Sequence, residues 1–312
     1  FAQTRDSSWF LSVNFPDAHL PFLRQANGLP TKPLSADEVK PLPWIGVNTP
    51  RLREQVANYY NCLERLDHGV GLLMAVLRNS GQAANTLVIY IGDHGAQFPR
   101  GKGTVYEGGL RIPMIIRWPA ITKAGKTCRE LVSTVDLLPT ALQAARVEAP
   151  EDLPGRALQP LLSEPKVTEW RQYIFGFTTG ANARNCFVQH SVRDERYKLI
   201  SSPRAGTVNL IAGSYLDESH QNFVISGATS KDQATASRTV RAAFTRWQRP
   251  PRFELYDLQK DPYEWHDQSQ NPELVEVKRR LIKALTDQQE QTHDPFIDPK
   301  NVEAYVMEQL AN

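Results

Sequence analysis

The apolar positions of the chain change period several times, and each change marks an element. Trp9 to Phe15 (WFLSVNF) is bulky and apolar, which predicts a buried strand ending at Pro16-Asp17-Ala18-His19. Residues 20 to 50 are rich in proline and polar groups without a period and predict a long loop. Thr49-Pro50 opens a helix with proline at its first position. Val56, Tyr59, Tyr60, Leu63, Leu66, Val70, Leu73, Met74 and Leu77 then recur at three or four residues, until Asn79-Ser80-Gly81 supplies a C-cap. Thr86 to Ile91 and Ile112 to Trp118 predict two apolar strands around a glycine-rich loop, and Leu131 to Ala145 predicts a helix. Strand, crossing helix, strand and helix together predict an α/β core with a largely parallel sheet.

The pattern changes after about residue 160. Short strand candidates follow at Tyr173 to Phe177, Phe187 to Val192, Tyr197 to Ile200 and Phe253 to Asp257, and a polar helix, Pro272 to Gln291, closes the chain. That predicts a small antiparallel sheet with one covering helix. Residues 203 to 245 have little apolar content and read as an irregular excursion. The expected organisation is an α/β piece over 1–160 and a smaller α+β domain over 161–312.

Composition narrows the function classes. The chain has 312 residues, 41% of them apolar and 22% charged, which suits a globular protein with a sizeable core. Its net charge of +2 gives no nucleic-acid signature, and no apolar run reaches membrane-helix length. Cys62, Cys128 and Cys186 are too few and too far apart for a disulfide framework or a zinc pattern. The chain shows neither an initiator methionine nor a signal peptide and reads as a mature product or a fragment.

The chemistry concentrates in YIGDHGAQFPRGKGTVYEGG, residues 90 to 109. In open α/β sheets ligands collect at the carboxyl ends of strands, where Asp93 and His94 stand. A carboxylate beside an imidazole can ligate a divalent metal, and carboxylate-rich sites favour hard ions such as calcium. His19 ends the other predicted strand. Lys102 is a compact cation suited to a phosphate or sulfate oxygen. The glycines would let the backbone approach a ligand. Plainer readings stand beside these: Asp93 can cap a turn, His19 can be a structural loop residue, Arg100 reads as a solvated charge, and His68 reads as a packing histidine on its helix.

These segments resemble, in order, the second half of a type I sulfatase of the alkaline phosphatase superfamily. TLVIYIGDHGAQFPRGKGTVYEGGLRIPMIIRWP is similar to the family's strand, Asp-His/Asn-Gly, lysine, Glu-Gly-Gly and Arg-x-Pro sequence. STVDLLPT, LPGRALQPLL, ERYKLI and RFELYDLQKDPYEWHDQSQNPEL match later landmarks. FLSVNFPDAH, RLDHGVGLLMAVLRNSG and QEQTHDPF resemble the heparan N-sulfatase (sulfamidase) type.

The resemblance implies one calcium ion with Asp93 and His94 as ligands, His94 standing where N-sulfatases usually carry asparagine. It implies that Lys102 binds the sulfate group, where N-sulfatases tend to have arginine, and that His19 contacts the sulfate or its leaving atom and serves as general acid. Glu107, Gly108, Gly109 and Arg111 match a shape-setting element. The implied substrate is a sulfated sugar, with N-sulfoglucosamine suspected. His190 and Asn185, in TTGANARNCFVQHSVR, are candidates to reach it, although that stretch departs from the N-sulfatase pattern. The family's nucleophile is a formylglycine made within a Cys/Ser-x-Pro-x-Arg motif, and neither this motif nor the family's first-strand Asp-Asp pair occurs in the sequence. The expectation is therefore a sulfuric ester or sulfamate hydrolase represented by its C-terminal part. An inactive sugar-binding relic and a phosphate-ester hydrolase of the same superfamily are the alternatives. No permitted Asn-x-Ser/Thr glycosylation site occurs, which favours a bacterial, periplasmic enzyme over a lysosomal one.

Overall fold

The structure is a computed structural model, and it describes residues 8–122, 124–163, 167, 169–180, 185–217 and 224–311. Helix α1 spans Pro50–Asn79. Thr49 caps its start, accepting the Leu52 N–H, and Gly81 follows its end at φ +76°, a conformation that favours glycine. The apolar stripe read from the sequence turns Leu52, Val56, Ala57, Cys62 and Leu77 inward.

Strand β1, Val88–Ile91, leads through the glycine-rich loop and the short helix α2, Glu107–Leu110, into β2, Met114–Arg117. β1 and β2 pair antiparallel, Val88 opposite Arg117 and Ile91 opposite Met114. The expected parallel pairing is not formed among the described residues, where both sheets are antiparallel. Residues 9 to 15 are not a strand. They run along α1 instead, with the Trp9 indole donating to Gln82 Oε1 at 2.6 Å and the Phe15 ring against Gly69. Phe10, Leu11, Val13 and Phe15 are exposed. An apolar sequence needs a hydrogen-bonded neighbour to become a strand, and none of the described strands lies beside it.

Helix α3, Leu137–Ala145, follows a 3₁₀ turn at Thr134–Asp136, and α4 spans Gln159–Ser163. The two motifs at 133–140 and 153–162 pack on each other. Buried Asp136 accepts from the N–H groups of Ser133 and Arg156, Thr140 Oγ1 accepts from the Leu158 N–H, and Gly155 lies against the Val135 carbonyl.

The second sheet has the order β3-β4-β5-β6, from Ile174–Thr178, Gln189–Arg193, Tyr197–Ser201 and Phe253–Asp257. Between β5 and β6 the expected irregular stretch contains α5, Leu210–Leu216, α6, Ser230–Ala234, and α7, Arg238–Gln248. Few large residues carry α7: Val240, Ala243, Phe244 and Trp247 are buried at helical spacing, but they are diluted by long polar flanks. Helix α8, Val275–Gln291, continues a 3₁₀ turn at Pro272–Leu274 and covers the sheet as the pattern predicts. It does not close the chain, because α9, Pro299–Ala311, follows.

Strand alternation gives this sheet two distinct faces. Val192, Leu199 and Leu255 pack with Leu281 and Leu285 of α8. Arg193, Lys198 and Glu254 point the other way, toward the glycine-rich loop. The larger core draws on both sides of residue 160, including Phe22, Val56, Phe98, Phe187, Phe244, Trp247 and Tyr256.

Candidate active site

β1 places Asp93 and His94 at its carboxyl end. The His94 N–H donates to Asp93 Oδ1 at 2.9 Å, and His94 Nε2 lies 3.3 Å from Asp93 Oδ2. His94 Nδ1 is 2.9 Å from the Gly95 carbonyl, which only accepts, so Nδ1 carries the proton. His94 Nε2 and the Asp93 carboxylate lie side by side. Their side chains are 37% and 86% exposed, so they sit on an open surface rather than in a closed cage.

Lys102 belongs to the same mouth. Burial pushes its ammonium below the ordinary lysine value, and the Asp93 carboxylate partly opposes that. Its main chain is fixed by Tyr215 of α5, whose hydroxyl donates to the Lys102 carbonyl at 3.1 Å. Tyr215 is buried beside Trp247, so the helices missed in the sequence hold the lysine's backbone.

The glycines around these residues do a different job from the expected one. A Cβ on Gly95 would lie 1.8 Å from the Gly108 carbonyl oxygen, one on Gly101 2.1 Å from that of Ala96, and one on Gly109 2.4 Å from that of Thr104. They let the loop fold onto itself. Arg100 is likewise not a solvated charge. It is buried, with its guanidinium carbon 4.4 Å from the ring centroids of both Tyr106 and Trp265, and it donates to the Tyr263 and Glu264 carbonyls at 2.9 and 2.7 Å.

Glu107 anchors the far end of the loop to the second sheet. Its carboxylate meets Arg193 Nη1 at 2.5 Å and Lys198 Nζ at 3.0 Å, and Lys198 also meets Glu264 at 3.0 Å. Burial raises the Glu107 carboxyl, but Lys198 and Arg193 outweigh it and hold the group below its ordinary value. Burial and the neighbouring Glu107 carboxylate push Glu264 up, against Lys198, Arg100 and the Glu107 N–H. No spacing rule connects Glu107 with Glu264, which accepts its N–H from 157 positions away.

His19 is exposed on a loop of its own, with Nδ1 2.8 Å from the Leu20 carbonyl. Arg65 of α1 fixes that loop, donating to both Asp17 oxygens at 3.0 and 2.9 Å and to the Leu23 carbonyl at 2.9 Å. The Phe22 ring stacks on Phe98 at 5.4 Å, with Tyr59 edge-on to both, which ties the His19 loop to the Lys102 loop. His68 sits on an exposed position of α1.

His190 faces the side of β4 opposite Arg193. Its position on β4 shares a face with Val192, and its Nε2 lies 2.7 Å from Asp294 Oδ2. Its ring packs against Phe177, which stacks on Phe296. Burial pushes its pKa down against the pull of Asp294. Asn185 is half-buried just after residues 181–184, which lie outside the described residues. A concavity of about 780 Å³ lies away from the mouth, between α8 and the β3 edge.

Calcium needs about six to eight oxygen-type ligands. Among the described residues no group of three or more His, Cys, Asp or Glu side chains converges on one point. Asp93 and His94 fit as two donors of a larger set and do not enclose an ion by themselves.

Comparison with known proteins gives this arrangement its family. Residues 1–147 match the family model "Sulfatase", and residues 92–210 match "N-sulphoglucosamine sulphohydrolase, C-terminal". An ulvan-active sulfatase of Formosa agariphila is 31% identical over 268 residues, which are 81% of this chain and 49% of that protein. Human N-sulphoglucosamine sulphohydrolase is 28% identical over 273 residues, 82% of this chain and 52% of that protein. The chain thus spans about half the length of the curated relatives it matches. A solved structure described as a complex with its substrate D-glucosamine-2-N,6-O-disulfate shares the fold. Its TM-score is 0.56 at 22% identity, over 78% of this chain and 42% of that one. With two overlapping sulfatase models across residues 1–210 and the strand-end Asp-His, lysine and Glu-Gly-Gly elements in one folded loop, the chain belongs to the type I sulfatases of the alkaline phosphatase superfamily, close to the sulfamidase type.

Proposed function

We propose that the intact protein hydrolyses a sulfate ester or sulfamate on a sulfated sugar, with an N-sulfoglucosamine-type substrate, and that residues 1–160 are the C-terminal part of its α/β catalytic core, with 161–312 a smaller domain. The observation that carries the reading is the loop mouth: a partly desolvated Lys102 ammonium, opposed by the Asp93 carboxylate, on a loop locked to two sheets. The similar human and Formosa proteins are named for sulfated-sugar substrates, and the disulfate complex adds a glucosamine carrying N-sulfate.

In this reading Asp93 and His94 supply two of the donors for a calcium ion, the remainder coming from outside this chain. Bound calcium would offset the charge of the sulfate oxygens, and a formylglycine, also outside this chain, would be the nucleophile. Lys102 binds a sulfate oxygen as a point charge, more strongly for being partly withdrawn from water. His19 keeps Nε2 free for a proton, because Nδ1 donates to the Leu20 carbonyl, so it can protonate the departing oxygen or nitrogen. We place the protein in the bacterial periplasm, since the sequence carries no glycosylation acceptor.

The test is the intact gene product assayed on N- and O-sulfated glucosamine, with and without Lys102→Ala. Loss of one charge-assisted contact to a developing anion lowers turnover by about 10²–10³-fold. Full activity in the variant removes Lys102 from the site, and saccharide binding without desulfation by the intact protein supports a binding-only relic.

A further inference from the structure

The wide concavity on the far face of the second sheet has a chemistry of its own. It is a cleft of about 780 Å³ between α8 and the segment that leads into β3, and it continues through Arg171, Gln172 and Arg280 into a second hollow of about 450 Å³ beside the β4–β5 turn. Arg156, Arg171, Arg279, Arg280 and Lys283 line the first cleft, against only Glu276 and Asp287. The lining side chains thus carry a net positive charge, which the Asp136 and Asp194 carboxylates behind Arg171 and Arg280 partly offset.

The cations are interleaved with aromatic faces. Arg171 lies 5.5 Å and Arg156 6.0 Å from the Trp170 ring, and Arg280 lies 5.7 Å from the Tyr173 ring. Arg280 donates to the Tyr173 hydroxyl and, at 2.5 Å, to Asp194, and Arg171 pairs with buried Asp136. A guanidinium has five N–H donors in a rigid fork, so each keeps several after these bonds and is held still while it presents them. Arg279 and Lys283 pair only with exposed neighbours on their own helix, at Glu276 and Asp287. Such surface pairs are weak and give way to a ligand at little cost.

A cleft of this volume, with fixed guanidinium forks and flat aromatic faces, fits a short anionic saccharide. Sulfate or carboxylate groups would meet the forks, and the sugar's C–H faces would lie on Trp170 and Tyr173. The glycine-rich loop abuts the opposite face of the sheet, through Glu107 with Arg193 and Lys198, so Lys102 does not line this cleft. We propose that the cleft between α8 and β3 is a second saccharide site, which holds an anionic segment of a sulfated polysaccharide away from the reacting group. The ligand class follows from the proposed sulfated-sugar substrate, but binding at the cleft is measurable without turnover.

The experiment titrates this chain with a heparin-derived tetrasaccharide by calorimetry, at low and at 0.5 M salt (about a Debye length of 4 Å at the higher). The triple variant Arg156→Ser/Arg279→Ser/Lys283→Ser removes exposed charges only, and its melting temperature checks the fold. Expected results are salt-sensitive binding, an affinity loss of about tenfold in the triple variant, and no change in a control triple of exposed lysines outside the cleft, Lys40→Ser/Lys260→Ser/Lys300→Ser. Parent-like affinity in the triple variant, or an equal loss in the control triple, overturns the proposal. Equal affinity for a desulfated tetrasaccharide, or for a single-stranded DNA or acidic peptide of matched charge, overturns it too. If the intact protein proves not to desulfate sugars, the sulfatase reading fails, while the calorimetric result still decides the cleft.

Discussion

Replacing Glu107 by Gln probes what holds the glycine-rich loop against the second sheet. The Glu107 side chain is 10% exposed, and it faces Lys198 at 1% and Arg193 at 21%. Removing one partner from a buried ion pair costs about 3–5 kcal/mol, because it strands a charge. Two features place this case at the low end. Lys198 keeps Glu264 at 3.0 Å, and Glu264 ionises more readily once the Glu107 charge beside it is gone. We therefore expect a loss of about 3 kcal/mol at neutral pH.

The sign of the pH dependence follows from the depressed Glu107 carboxyl. A carboxylate held below its ordinary value stabilises the fold fully above the unfolded-state value of 4.5, and that contribution disappears as pH falls through the lower folded-state value. Urea unfolding of parent and variant should thus give a constant gap between about pH 5 and pH 8, closing below about pH 4. A gap under about 0.5 kcal/mol at neutral pH, at the scale of an ordinary surface substitution, would refute the anchoring role. So would a full gap that persists down to pH 3, since the effect would then be packing and not charge.

Gly95→Ala should force the loop apart, since the new Cβ would sit 1.8 Å from the Gly108 oxygen; a variant with parent-like melting temperature contradicts this close approach. Arg100→Lys keeps the charge but loses the planar stack between Tyr106 and Trp265 and one of two carbonyl bonds, so thermal unfolding should show a loss of about 1–3 kcal/mol. Burial lowers the Lys102 pKa, so the ammonium neutralises earlier than an ordinary lysine at 10.5, and kcat/KM of the intact enzyme should fall on the alkaline side below that value; Lys102→Arg, which stays charged, should shift that limb upward.

The sequence by itself determined the elements whose signals are local. Helix α1 starts at Pro50 and ends before Gly81 because a cap, a first-turn proline and a regular apolar stripe lie within one contiguous stretch. β6 is likewise Phe253–Asp257, where the alternation predicts it. The strand-end position of Asp93 and His94 was also legible, because an apolar run feeding a glycine is a local pattern. Only the tertiary structure decided what those elements meet. Residues 9 to 15 carry a strand's composition but lack a hydrogen-bonded neighbour, so they lie exposed along α1. Arg100 reads as a surface charge until Tyr106 and Trp265, distant in sequence, close over it. Glu107 finds Lys198 and Arg193, and Lys102 finds Tyr215, only through the fold. His190, a candidate for the substrate, is turned by strand alternation to the face where Asp294 waits. Periodicity and capping are properties of neighbours along the chain, whereas desolvation and ion pairing depend on what the folded chain brings within a few ångströms.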